Sequence, residues 1–232
     1  MKSIECKLLE YKTIWDQRKT FWLECTPTEC VAQGVHARWL AKVLRDGWAL
    51  SSVPDEHKTY DVCLAAVSQY GISLRYVPDN HKTYDICLAA VAQKGFALLF
   101  VPARHMTYDL CLAAVSQCGG ALRFVTDEHR TYDLCLAAVH QQAWALSSVP
   151  DTHTTYDLCL AAMSQDGWSL MFVPGRHKTY ALCLTAVSQC ALAIRHVPDK
   201  HKTPEIYLVA VEQDFQLISE IPQTFWAALA QG

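Results

Sequence analysis

The octad Tyr60-Asp61-Val62-Cys63-Leu64-Ala65-Ala66-Val67 returns as Tyr84 to Val91, Tyr108 to Val115, Tyr132 to Val139 and Tyr156 to Met163, each time 24 residues on and without an insertion. A looser copy runs from Tyr180 to Val187. Two degenerate copies flank these six. One runs from His36 to Thr59 and keeps Leu40, Val43, Gly47, Leu50, Val53, Pro54 and His57; the other starts at Pro204 and keeps Leu208, Val211, Ile218, Ile221 and Pro222. A unit of this length cannot bury its apolar side alone, so neighbours must stack and the ends must be capped. The expected fold is therefore all-α, an α-solenoid of eight 24-residue two-helix repeats. Their starts are 36, 60, 84, 108, 132, 156, 180 and 204, so the array spans 36–227. Residues 1–35, with Trp15, Phe21, Trp22 and a helix start at Thr26-Pro27, read as an N-terminal helical cap. Residues 228–232 read as a tail, and Phe225, Trp226 and Leu229 as the cover of the far end.

With tyrosine as position 1, each unit reads as two helices. Thr at position 24, as in Thr59, Thr83 and Thr107, suits an N-cap. Asp two residues later favours the first turn through the helix dipole, and Pro204 stands at the first helical position. Positions 1, 4, 5 and 8 (Tyr, Cys, Leu, Val) lie at helical spacing and are the expected buried face. Glycine at position 12 (Gly47, Gly71, Gly95, Gly119, Gly167) suits a left-handed cap that ends this helix. A short second helix follows. Its Leu and Val at positions 15 and 18, such as Leu74 and Val77, are expected in the core. Pro at position 19 stops it, with Thr126 the exception. A five-residue turn such as Pro78-Asp79-Asn80-His81-Lys82 then leads to the next cap.

At this level of detail the unit Tyr84 to Pro102, Tyr-Asp-x-Cys-Leu-Ala-Ala-Val-x-Gln-x-Gly-x-Ala-Leu-x-x-Val-Pro, resembles an uncharacterised bacterial repeat family catalogued as a domain of unknown function. The resemblance covers residues 36–222. It implies tandem arrays, among other places in proteins thought to be effectors of intracellular bacteria. It supports the fold and transfers no catalytic residue.

Three ladders accompany the period. Cysteine recurs at position 4 (Cys63, Cys87, Cys111, Cys135, Cys159, Cys183), histidine at position 22 (His57, His81, His105, His129, His153, His177, His201) and glutamine at position 10 (Gln69 to Gln213). Stacked units lie about 8–10 Å apart. One side chain per unit therefore cannot converge on a zinc ion whose sulfur ligands sit at about 2.3 Å. The cysteines read as small buried hydrophobes, with Cys118 and Cys190 the better candidates for exposed thiols. The histidines read as turn-packing groups. The glutamines read as bridges to the next repeat, with a role in holding an extended peptide as the alternative. No GxSxG, P-loop or HExxH occurs, and no nucleophile–base–orienter set stands out. The expectation is no catalytic residue, no metal and no cofactor.

Composition narrows the partners. Lys plus Arg number 20 against 23 Asp plus Glu, a net charge of −3, which gives no support to broad nucleic-acid binding. No apolar run approaches the roughly 18–20 residues of a membrane span. The start lacks the apolar core of a secretory signal, and periodic cysteines point away from a disulfide framework. A reduced, cytoplasmic protein is expected, with export as an effector by a route without such a signal left open.

Within a solenoid the framework positions recur and recognition positions vary. Position 16 reads Ser51, Arg75, Leu99, Arg123, Ser147, Met171, Arg195, and position 17 reads Ser52, Tyr76, Phe100, Phe124, Ser148, Phe172, His196. Position 13 adds Trp48, Phe96, Trp144 and Trp168, expected on the same helix face as position 17. Arginine and aromatic side chains dominate interface energetics. The candidate partner-binding residues are Arg75, Tyr76, Phe100, Arg123, Phe124, Phe172, Arg195 and His196. The alternative for the aromatics is packing against the next repeat. The expected function is a non-catalytic module that binds a protein or peptide along one face, in an effector or an immunity or antitoxin role. The first alternative is a nucleic-acid-binding repeat protein, using Arg75, Arg123 and Arg195 with the bases of position 23, namely Lys58, Lys82, Arg130, Lys178 and Lys202. A Cys/His enzyme or metal protein comes last. Neither the partner's identity nor the oligomeric state follows from the sequence.

Overall fold

The structure, a computed structural model, describes residues 34–225. The expected N-terminal cap falls almost wholly outside these residues, as do Trp226, Leu229 and the tail. The chain divides into two compact units, Met1–Arg130 and Thr131–Gly232. Each is an all-α solenoid segment, with no strand among the described residues.

In the first unit, α-helices Val35–Arg45, Tyr60–Gln69, Tyr84–Gln93 and Tyr108–Gln117 stack in sequence, each packed on the next. In the second, Tyr132–Gln141, Tyr156–Gln165, Tyr180–Gln189 and Pro204–Gln213 do the same. The threonine caps work as expected. Thr83 Oγ1 accepts from the Ile86 N–H, and Thr107, Thr131, Thr155, Thr179 and Thr203 act likewise. Thr59 is the exception, since its buried hydroxyl has no partner. Pro204 opens its helix, where the missing N–H costs nothing.

The glycine at position 12 is not the left-handed cap the sequence suggested. Among the described residues only Gly34 has a positive φ. Each helix instead ends on an extended residue at position 11, such as Tyr70 at φ −145° or Cys118 at φ −155°. Its N–H bonds back to the position 7 carbonyl, as Tyr70 N–H does to Ala66 at 2.9 Å. Glycine is required by close approach instead. A Cβ on Gly71 would collide with the Ala90 carbonyl oxygen of the following helix, and one on Gly95 with that of Ala114.

The second helix is a 3-10 helix of six residues, such as Gly71–Tyr76, Gly95–Phe100 and Gly119–Phe124 in the first unit and Gly167–Phe172 and Ala191–His196 in the second. Its hydrogen bonds span three residues, as from Ser73 N–H to the Tyr70 carbonyl at 2.8 Å. With six residues before the proline, the tighter turn suffices and no α-helix develops.

The buried face of the α-helix is also shifted from expectation. In the six helices from Tyr60–Gln69 to Tyr180–Gln189 positions 3, 4, 7 and 8 are fully buried, as in Leu110, Cys111, Ala114 and Val115, whereas Val35–Arg45 buries Ala37, Leu40, Val43 and Leu44. The tyrosine of position 1 is half-exposed to exposed, and the leucine of position 5 stands partly in solvent in most copies, with Leu88 buried. In the copies up to Ala191–His196 the core is completed from the 3-10 helix by positions 12, 14, 15 and mostly 18, for example Gly119, Ala121, Leu122 and Val125, whereas Phe215 in the last copy stands in solvent. Leucine at position 15 reaches essentially zero exposure from Leu50 to Leu170 in copy after copy, the marker of a continuous core within each unit.

Candidate interaction surface

In a 3-10 helix side chains three apart eclipse one another. Positions 12, 15 and 18 thus share the edge turned to the core, and positions 13 and 16 share another, exposed throughout at position 16 and exposed at Trp48, Trp144 and Trp168 of position 13 but half-buried at Phe96. Position 14 faces the core and is Ala or Ser in most copies. Position 17 lies between, half-buried from Tyr76 to His196. The expected pairing of positions 13 and 17 on one face of a single helix is therefore replaced by a pairing between neighbours. Trp48 meets Tyr76 edge-on at 5.4 Å, Phe96 meets Phe124 at 6.0 Å, and Trp168 meets His196 at 5.0 Å. In these three pairs the ring at position 13 rests on position 17 of the following copy. The candidates Tyr76, Phe124 and His196 thus have a packing role between neighbouring copies. Trp48, Phe96 and Trp168 are partners that a within-helix reading could not assign; the register of one copy against the next supplies them.

Position 16 is different. Every residue there, from Ser51 to Ser219, is exposed, and Leu99 leaves 55% of its surface to solvent. The Arg75 guanidinium lies over the rings of Tyr76 at 5.1 Å and Phe100 at 5.8 Å. Arg123 lies over Phe124 at 5.4 Å. Among the described residues no carboxylate pairs with either. Arg195 does have one: its Nε and a terminal nitrogen donate to Glu220 Oε1 at 3.1 and 2.7 Å. Glu220 holds position 17 of the next copy and was invisible as a partner in the sequence. It raises the arginine pKa through the hydrogen bond. The first unit thus assembles Arg75, Tyr76, Phe100, Arg123 and Phe124, and the second assembles Phe172, Arg195 and His196.

The ladders are engaged inside the array. Gln93 accepts from the Gly71 N–H at 2.7 Å and donates to the Gln69 carbonyl at 3.2 Å. Gln117 accepts from the Gly95 N–H at 2.6 Å, and Gln213 donates to the carbonyls of Val187 and Ser188, both at 3.0 Å. The position 4 cysteines are buried, and burial pushes the thiols up, Cys63 to about 12 and Cys87, Cys111 and Cys159 to about 11. The histidine backbone N–H closes its turn onto position 19, as His81 does to Pro78 at 2.9 Å. The His129 ring contacts the Met106 carbonyl of the preceding copy at 2.9 Å. No cluster of three or more His, Cys, Asp or Glu suited to a metal occurs among the described residues.

The bases of position 23 are largely neutralised. Lys58, Lys82, Arg130 and Lys202 pair with Asp55, Asp79, Asp127 and Asp199 at 2.8–3.0 Å. Lys178 lacks that acid because Gly175 replaces it. Its ammonium donates to the His196 carbonyl at 3.1 Å, and burial lowers its pKa. An open pocket of about 390 Å³ lies beside Arg45, Asp46, Gly47, Trp48, Gln69 and Tyr70. No described helix is long and apolar enough to cross a membrane.

The family described as Domain of unknown function (DUF4116) matches residues 59–106. That match opens on the cap Thr59 and closes one residue before the cap Thr107, so it spans two periods in phase with the helices. No curated protein and no solved structure matches the chain.

Proposed function

We propose that the chain is a non-catalytic interaction module that binds a protein or peptide along one face of its solenoid units, the face of the 3-10 helices. The observation that carries this reading is the alternation of neighbouring positions. Position 15 is a buried aliphatic residue in the seven copies from Leu50 to Ile194, while position 16, one residue on, is exposed in every described copy and changes between Ser, Arg, Leu and Met. Packing explains the first, while the second faces solvent and changes its chemistry from copy to copy, which is the pattern of a recognition surface on a repeat scaffold. The acid–base pairs of the turns argue against a row of free cations for nucleic acid. A cytoplasmic setting agrees with the buried thiols. The resemblance to arrays found among bacterial effectors favours a role of that kind, with an immunity or antitoxin role as the alternative.

The test is affinity capture from lysate, with and without nuclease, on the native chain and on a combined Arg75→Ala, Arg123→Ala, Arg195→Ala variant. The variant should keep its melting temperature to within a few degrees, because exposed substitutions usually cost within about 0.5 kcal/mol each. It should lose the captured protein. Retention of every captured partner by the folded variant, or capture that depends on nucleic acid, would sink the reading.

A further inference from the structure

We infer that the 3-10 face of the first unit takes an extended acidic peptide with an acid, an apolar residue and an acid at every third position, which rests on the function proposed above and names its ligand class. Three successive copies present Arg75, Leu99 and Arg123 at position 16, backed by Tyr76, Phe100 and Phe124 at position 17. Positions 13, 16 and 17 of the 3-10 helices Gly47–Ser52, Gly71–Tyr76, Gly95–Phe100 and Gly119–Phe124 contain no Asp or Glu. The face is therefore cationic and apolar in a chain whose net charge is −3.

Both guanidiniums lie over rings, the Arg75 Cζ 5.1 Å from the centroid of Tyr76 and the Arg123 Cζ 5.4 Å from that of Phe124. A guanidinium has five N–H donors, so a ring contact through its π-system is compatible with a carboxylate on its N–H edge. The second unit shows what such an arginine accepts. There, at the same repeat position, Arg195 is occupied by the Glu220 carboxylate through two nitrogens. Arg75 and Arg123 have the same placement and lack that carboxylate. Between them Leu99 is the exposed apolar contact.

The step of the array sets the spacing. Neighbouring helical elements pack about 8–10 Å apart. A peptide in the polyproline II conformation rises about 3.1 Å per residue with three residues per turn, so every third side chain points one way and advances about 9 Å. Residues i, i+3 and i+6 of such a peptide then meet Arg75, Leu99 and Arg123 in turn. Single-stranded nucleic acid would also meet cations and rings. Yet the rings here already spend edges on one another, as Phe96 does on Phe124, and are half-buried, which leaves little face for base stacking.

The experiment uses the full chain and a fluorescein-labelled synthetic peptide, Ser-Gly-Glu-Ser-Gly-Leu-Gly-Ser-Glu-Gly-Ser, read by fluorescence anisotropy. Controls are the same peptide with both glutamates replaced by glutamine, one with the glutamates three residues apart, and a labelled oligouridylate. The expected result is saturable binding that weakens about tenfold or more with either control peptide and with the Arg75→Gln, Arg123→Gln double variant. Binding should also fall as salt rises. No saturation up to about 1 mM, equal binding of the glutamine peptide, an unaffected folded variant, or tighter binding of the oligouridylate would each overturn the inference. Panning a random peptide library on the same protein separates this inference from the broader reading. Selected peptides without acids that lose binding to a Leu99→Lys variant would refute the acidic ligand and keep the face. Selected peptides indifferent to Leu99→Lys and to the arginine changes would remove both.

Discussion

The side-chain carbonyl of Gln93 accepts a hydrogen bond from the Gly71 N–H at 2.7 Å, so the end of one helix holds the start of the preceding copy's 3-10 helix. The same carboxamide donates to the Gln69 carbonyl at 3.2 Å. One side chain thereby satisfies a donor and an acceptor of its neighbour at the point where the chain changes helix type. Replacing Gln93 by Ala should cost about 1–3 kcal/mol, because a partly buried N–H loses its partner. Chemical denaturation of the variant measures it; an unchanged midpoint would show that water replaces the amide without loss.

Beside each such amide lies the glycine. Gly95→Ala would drive a Cβ into the Ala114 carbonyl oxygen and the Gln117 side chain, both of the next copy. The helix Tyr108–Gln117 must then move out. Ala143 and Ala191 hold the equivalent position in the second unit, so the methyl is accepted in those copies, while a Cβ on Gly167 would collide as one on Gly95 does. In the first unit the substitution should destabilise by about 1–3 kcal/mol, as overpacking does. A melting temperature equal to the native value would refute the steric account.

These two residues mark the limit of what the sequence conveys. The period, the threonine caps, the stop at proline and the burial of Leu74 or Leu122 were legible, because each follows from spacing or from one residue's backbone chemistry. The phase of the buried face was not. Tyr108, Leu110, Cys111, Leu112, Ala114 and Val115 are all apolar, so helical spacing fits more than one face, and only the stacked neighbour chooses Leu110 and Ala114 over Tyr108 and Leu112. The glycines were assigned to a left-handed cap because a single copy cannot reveal a backbone approaching from the next. At the candidate surface, Arg75 and Arg123 were legible as exposed variable residues. The edge-on contact of Trp168 with His196 and the ion pair of Arg195 with Glu220 join residues 28 and 25 apart, a register that depends on stacking.

Position 14 offers a paired test of buried hydroxyls. Ser73 Oγ donates to the Gly47 carbonyl at 2.8 Å, whereas Ser169 Oγ is buried without a partner. Alanine fills this place in Ala97, Ala121 and Ala145. Ser169→Ala should therefore stabilise by about 1 kcal/mol and Ser73→Ala should destabilise by a similar amount. Denaturant midpoints that shift in the same direction for both would contradict the hydrogen-bond assignment.

The thiols should divide by burial. At pH 8 a group raised to about 11, such as Cys87 or Cys111, holds some two to three orders of magnitude less thiolate than a free cysteine near 8.5. Iodoacetamide followed by peptide mass mapping should label Cys118 and Cys190, which are only half-buried, well before the six of position 4. In denaturant all should react alike. Early labelling of Cys111 in the folded chain would show the core opening locally.

The last expectation concerns pH and rests on His196. Its ring sits edge-on to Trp168, with a buried Nε2 that has no partner. Burial lowers its pKa, and the neighbouring cations Lys178 and Arg195 lower it further, although Glu220 neutralises part of the Arg195 charge. The unfolded chain titrates this residue near 6.5 and so binds the proton at a higher pH than the folded chain does. Between the two values the unfolded state carries more protons, and stability must rise with pH. The contribution of a neutral His196 is thus complete above about pH 6.5 and is lost as pH falls through the unfolded value toward the folded one. Phenylalanine stands at the same position in Phe100, Phe124 and Phe172, and Phe124 already makes the equivalent ring contact with Phe96. His196→Phe should therefore keep the stacking and remove the titration. The measurement is the drop in melting temperature between pH 8 and pH 5 for the native chain and the variant, in which all other titrating groups are common to both. The native chain should show the larger drop. An equal or larger drop in His196→Phe would mean that the ring takes up its proton in the folded state as readily as in the unfolded one, and that the cations around it exert no net effect.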